Sequence, residues 1–133
     1  MQLVIDANVV ISILIRPGKP LELLFRSEIE VFAPSLLFEE VLRNMPEITK
    51  KSTLSEDDLQ ILLNGLRTMI KVVPEEDFLH QRENAVKICP DPKDVTYFAL
   101  ALHLKCGIWS NEKKLKEQEK VPVLSTHELM KLF

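Results

Sequence analysis

Cysteine is nearly absent from this chain, with Cys89 and Cys106 as its only two. They form neither a CxxC pair nor the pattern of a secreted disulfide framework, so buried or idle thiols in a cytoplasmic protein are expected. Glycine is scarce, at three residues in 133, which argues against long flexible loops. Neither a P-loop nor a GxGxxG fingerprint occurs. The three histidines, His80, His103 and His127, are scattered and far from the acidic turns described below, which argues against zinc. Apolar runs such as Phe98–Leu102 fall far short of the ~20 residues that a membrane span requires. The N-terminal MQLVIDANVV lacks the basic segment and long apolar core of a signal peptide. Positive charge is not in excess either, since 17 Lys and Arg against 20 Asp and Glu give a net charge of −3. That balance counts against nucleic-acid binding by bulk positive charge, though not against an enzyme whose own cations meet phosphates.

What is present is a globular composition, 46% hydrophobic and 28% charged. A chain of this size buries roughly two-thirds of its unfolded surface without a staple. No repeat, low-complexity tract or linker-like run interrupts it, and residues 1–133 are expected to form a single domain.

Leu3-Val4-Ile5 is a short apolar run that stops at Asp6, as expected of a strand covered on both faces in a parallel sheet. Asn8 to Ile15 continues into a helix. Pro20 fits the first turn of the next helix, with Leu21, Leu23, Leu24 and Phe25 as its buried face. Glu30–Ala33 reads as a second strand, and Pro34-Ser35 opens a helix carrying Leu36, Leu37 and Val41. Ser55-Glu56-Asp57-Asp58 is a helix start, a cap followed by three acids that the helix dipole favours. Lys71-Val72-Val73 is a strand, Glu75 to about Ile88 one helix, and Asp94–Leu104 a largely buried helix. Gly107–Trp109 is a strand, Glu112–Glu119 a helix and Val121–Leu124 the last strand. Ser125 caps the closing helix, Thr126–Leu132. Strands alternating with helices predict a three-layer α/β/α sandwich around a central parallel sheet of four or five strands.

In such sheets ligands bind beyond the carboxyl ends of the strands, and that edge is where the acids fall. Asp6 follows the first strand directly, with Asn8 two residues on. Glu40 sits beside Glu39 at the margin of the Leu36, Leu37, Val41 face. Asp94 ends the Asp91-Pro92-Lys93-Asp94 turn and opens the buried helix, while Glu112 follows Trp109-Ser110-Asn111. Each has a plain alternative, as helix cap or solvated surface acid, but a parallel sheet gathers such positions at one edge. Carboxylates gathered that closely repel, and a divalent cation relieves the repulsion. Oxygen ligands without His or Cys select hard ions, meaning Mg²⁺ or Mn²⁺. An ion held this way suits phosphodiester hydrolysis, because it lowers the pKa of bound water and offsets charge on the phosphate. A covalent aspartyl-phosphate mechanism would call for an Asp two residues after Asp6, where this chain has Asn8.

These residues also carry a resemblance. Val4-Ile5-Asp6-Ala7-Asn8 resembles the opening motif of PIN domains, and Pro34-Ser35-Leu36-Leu37-Phe38-Glu39-Glu40-Val41 their second acidic segment. Asp91-Pro92-Lys93-Asp94-Val95, running into Ala99-Leu100-Ala101-Leu102, resembles the third. Ile108-Trp109-Ser110-Asn111-Glu112-Lys113 resembles the fourth, and Val123-Leu124-Ser125-Thr126 the closing strand. The match is collinear over essentially the whole chain, and prokaryotic, often archaeal, members similar to VapC-type toxins are particularly close.

The resemblance implies a metal-dependent ribonuclease with Mg²⁺ or Mn²⁺ at a cluster of three or four acids. Asp6, Glu40 and Asp94 match the acidic positions, Asn8 a supporting polar residue and Ser110 a hydroxyl beside the fourth acid. Glu112 departs from the pattern, since the family usually has Asp there, and Asp91 ranks as an outer acid. RNA is the implied substrate. Many members are the toxin half of a toxin–antitoxin pair and many self-associate, so an antitoxin protein and a homodimer are the implied partners, with no membrane. Lys113, Lys114 and Lys116 are candidates to meet the RNA backbone. Two other readings stand beside this one: a PIN-like scaffold with a weakened site, favoured by Glu112, and a small-molecule phosphohydrolase.

Overall fold

Strand β1 (Gln2–Ile5) occupies the centre of the molecule because its side chains tolerate nothing else. Leu3, Val4 and Ile5 are buried, apolar on both faces of the strand. The computed structural model describes all 133 residues. From β1 the chain runs through helices α1 (Ala7–Ile15) and α2 (Lys19–Leu24) to β2 (Glu30–Pro34). Helices α3 (Leu36–Arg43), α4 (Met45–Lys51) and α5 (Glu56–Met69) lead to β3 (Lys71–Val73). Helices α6 (Glu75–Phe78), α7 (Arg82–Ile88) and α8 (Val95–Leu104) then return it to β4 (Gly107–Trp109), β5 (Val123–Leu124) and α9 (Thr126–Leu132).

The five strands pair in parallel in the order β3-β2-β1-β4-β5. The chain therefore moves outward from β1 to β3, crosses back, and resumes on the other side of β1. Right-handed crossovers in opposite directions place the two sets of helices on opposite faces. Helix α8 lies over β1, β2 and β4, with α6 and α7 against it, while α1 gathers α2, α3, α4 and α5. This is the α/β/α sandwich that the sequence predicts, with five strands. One cluster of 35 buried residues forms the core. No helix is long and apolar enough to cross a membrane.

The order of the strands reverses between β1 and β4, so their carboxyl ends form the switch point where α/β sheets bind ligands. Register is tight there. Leu3 stands opposite Gly107 and Ile5 opposite Trp109. The amide of Asp6 extends the ladder by donating to the Trp109 carbonyl at 3.0 Å, and that of Ser110 donates to the Leu124 carbonyl at 3.1 Å.

Local structure departs from the sequence reading in five places. Helix α4 was not foreseen, although Pro46 in its first turn and the buried Ile48 mark it. The single helix expected from Glu75 to Ile88 is broken by a 3₁₀ turn, Leu79–Gln81. Phe78 and Ala85 are the buried residues on either side of the break. The helix expected at Glu112–Glu119 is one 3₁₀ turn, Lys113–Lys116. With Leu115 as its only buried residue it has no stripe to bury, and the Gln118 side chain serves the backbone of Leu115, Lys120 and Val121 instead. The strand expected at Val121–Leu124 shortens to β5. Phe25, expected in the core, is 70% exposed because α2 ends before it. His80 and His103, scattered in sequence, meet edge to face at 5.2 Å.

Candidate active site

Asp6 is held from two sides. Its Oδ1 accepts the Asn8 amide at 3.2 Å, capping α1, and its Oδ2 accepts the Ser110 hydroxyl at 2.7 Å. Both Asp6 and Ser110 are buried. Ser110 in turn accepts the Glu112 amide at 3.1 Å. The ends of β1 and β4 are thus tied through one hydroxyl that donates to the first acid and accepts from the backbone of the fourth.

Glu40 arrives from α3. The hydroxyl of Tyr97, buried on α8, donates to its Oε1 at 3.3 Å, and the Asn44 amide group donates to its backbone carbonyl at 2.7 Å. Partial burial raises the Glu40 carboxyl above the ordinary range, and the Asp6 charge adds to this against the opposing Tyr97 hydrogen bond. Burial, with the Glu40 carboxylate, pushes the Tyr97 phenol well above its usual range, so it stays a neutral donor. Asp94 sits at the N-terminus of α8 without capping it through its side chain. Burial raises its carboxyl to about 7, and the charges of Asp6, Glu112 and Asp91 push the same way.

Asp6, Asn8, Glu40, Asp94 and Glu112 line one pocket of about 410 Å³ at this edge, large enough for a phosphodiester and not only a water molecule. Other expected residues lie elsewhere. Asp91 is outside the lining; its carboxylate accepts the Lys93 amide at 3.1 Å and closes its own turn. Glu39 is exposed beside Glu40. Lys113, Lys114 and Lys116 are also outside, and Lys116 pairs with Glu128 at the start of α9. Four polar residues of the site go unread in the sequence: Arg43, Asn44 and Lys93, which line the pocket, and Tyr97, which supports it. Helical spacing finds three of them, because Arg43 and Asn44 are three and four residues after Glu40 and Tyr97 is three after Asp94.

The donor set consists of carboxylates with no His or Cys, which fits a hard divalent cation and not zinc. Burial and the shared Asp6 charge raise both Glu40 and Asp94, and a bound cation would relieve both effects. The side chains are not arranged as a finished cage, since no three acids stand close enough together to hold one ion as placed.

No curated protein matches the chain significantly. Among solved structures, a chain of VapBC2 from Rickettsia felis, crystallised bound to a DNA fragment from their promoter, shares the fold with a TM-score of 0.65. The two are 13% identical, and the match covers 94% of this chain and 98% of that one. The family model described as PIN domain matches residues 4–129. That match starts inside the first strand and ends in the last helix, and by it this chain belongs to the PIN-domain family.

Proposed function

We propose that this chain is a metal-dependent endoribonuclease that hydrolyses RNA phosphodiester bonds, with Asp6, Glu40, Asp94 and Glu112 as ligands of Mg²⁺ or Mn²⁺. One observation carries the reading: four acids up to 106 positions apart line a single pocket at the switch point of the sheet. Membership of a family whose members are generally nucleases supports it. The setting we assign is the toxin half of a toxin–antitoxin pair, cytoplasmic and self-associating. The VapBC2 neighbour is compatible with that setting through its fold.

Each residue has a share in the work. Asp6 is fixed by hydrogen bonds to both oxygens and still has lone pairs for a cation. Ser110 and Asn8 orient it. Tyr97 orients Glu40, and Glu112 completes the set from the loop after β4. Asp94, whose carboxyl lies near 7, would hold the ion in its deprotonated form. The chemistry a divalent ion supplies when bound is Lewis-acid activation of water and neutralisation of charge on the reacting phosphate.

A second reading, a PIN-like scaffold with a weakened site, draws on the absence of any three acids near enough to share an ion. Glu112, one methylene longer than the usual Asp, favours it as well. Cleavage of a labelled single-stranded RNA in Mn²⁺, Mg²⁺ or EDTA separates the two. The nuclease reading requires metal-dependent cutting that both Asp6→Asn and Asp94→Asn abolish. Equal cutting by native and substituted chains marks contamination and sinks it. Mn²⁺ binding by a native chain that cuts no RNA supports the scaffold.

A further inference from the structure

Two cations stand in the same pocket as the four acids. Arg43 ends α3 one turn after Glu40, and Lys93 precedes Asp94 in the turn before α8. Neither forms an ion pair with a pocket acid. Arg43 has no carboxylate within 4.0 Å, and the only partner of Lys93 is Asp91, at 3.8 Å and outside the lining. The Lys93 side chain is 82% exposed even so. Without contact, the two cations offset the Glu40 and Asp94 carboxylates only in part, since both acids remain raised.

Their placement fits another partner. An RNA strand reaching the pocket brings a negative charge at every phosphate, toward an edge whose acids repel it. A cation bound by the acids offsets charge at the reacting phosphate only, and the neighbouring phosphates still need donors. The Arg43 guanidinium is a planar fork suited to phosphate oxygens, and the Lys93 ammonium is a mobile point charge lining the same pocket. The lysines after β4 are poorer candidates, because none lines the pocket and Lys116 is already paired with Glu128.

Building on the nuclease reading, we propose that Arg43 and Lys93 form a phosphate clasp, contacting the backbone phosphates that flank the reacting one and setting the strand's path between α3 and α8. Neither residue is a ligand of the metal.

The test is fluorescence anisotropy with a labelled RNA dodecamer carrying hydrolysis-resistant phosphorothioate linkages, its length checked after each titration, in Mn²⁺ and over a range of salt concentrations. The variants are Arg43→Ala, Arg43→Lys, Lys93→Ala and a control, Lys114→Ala, and Mn²⁺ affinity is measured in parallel by calorimetry. Each clasp residue removed weakens binding several-fold and lowers the salt slope by about 0.7, the value for one contact to a single strand. Arg43→Lys keeps the slope but binds less tightly, because the charge remains and the fork is lost. Mn²⁺ affinity does not fall in any variant, and Lys114→Ala binds RNA as the native chain does. Native binding with a slope unchanged in both alanine variants overturns the clasp and leaves the nuclease reading standing. So does a slope that falls in Lys114→Ala instead. Failure of the native chain to bind RNA in Mn²⁺ overturns both readings together.

Discussion

Ser110 donates its hydroxyl to Asp6 at 2.7 Å in a buried position, although the two residues are 104 apart in sequence. The same oxygen accepts the Glu112 amide, so one side chain spaces the first and fourth acids. Ser110→Ala leaves a buried carboxylate oxygen and an amide without their partner. Such a loss costs about 1–3 kcal/mol. Because outer partners of metal ligands also tune affinity, Mn²⁺ binding is expected to fall about tenfold or more. Thermal melting and calorimetry measure the two effects. A variant that melts and binds as the native chain does would show that Ser110 positions nothing.

Asp94 makes stability depend on pH. Its carboxyl lies near 7 in the folded chain against 3.8 for the free group, so between those values the folded state binds more protons than the unfolded state. Stability contributed by this group therefore falls as pH rises from about 4 to about 7, the reverse of the usual carboxylate. In EDTA, Asp94→Asn is expected to melt higher than the native chain at pH 8, by on the order of 1 kcal/mol after allowing for solvent screening. At pH 4 the two should differ little. Added Mn²⁺ should then raise the native melting temperature and not that of the variant. A variant less stable than the native chain at pH 8 contradicts this account of the site.

The sequence made legible whatever depends on short-range pattern. The abrupt stop of an apolar run at Asp6 marks both a strand and the edge where it ends, the strand before Glu112 gives the same signal, and Asp94 is marked by the apolar helix it opens. Ser125 was equally readable, and its capping box with Glu128 closes as the spacing requires. What could not be read depends on neighbours distant in sequence. Nothing local breaks the helix expected from Glu75 to Ile88: Phe78 and Ala85 are seven apart and would share one face of it, yet a 3₁₀ turn intervenes. Nor does sequence show that Lys116 is committed to Glu128 while Arg43 is left without a carboxylate. Which of these cations is paired is decided by contacts that form only on folding.

Gly107 opens β4 where its backbone passes very close to the next strand. A Cβ built there would lie 2.9 Å from the Pro122 carbonyl oxygen, which accepts the Ile108 amide at 2.8 Å. The opposing atom is backbone and cannot swing aside. Gly107→Ala must therefore shift β5 or weaken that ladder bond, with an expected cost of about 1–3 kcal/mol. Chemical denaturation measures it. By contrast, Gly65→Ala meets nothing within 4 Å on an exposed helix and is expected to stabilise by about 0.5–1 kcal/mol. Equal effects at the two positions would rule out the close approach as the reason for Gly107.

Tyr97 is the test of whether support behind an acid matters as much as the acid. Its ring packs in the core and only its hydroxyl reaches the site, where it donates to Glu40 at 3.3 Å. Tyr97→Phe keeps the ring and removes the donor. Glu40 is half-buried, so water can take over part of the lost bond, and the change in folding stability should stay near 1 kcal/mol or below. The larger effect is expected on ligand geometry, a Mn²⁺ affinity reduced by about tenfold. Glu40→Gln should lose more, because it removes a ligand charge, and adding Tyr97→Phe to it should then cost little further affinity. Additive losses in that double-variant cycle would mean that Tyr97 acts on the site by a route other than Glu40.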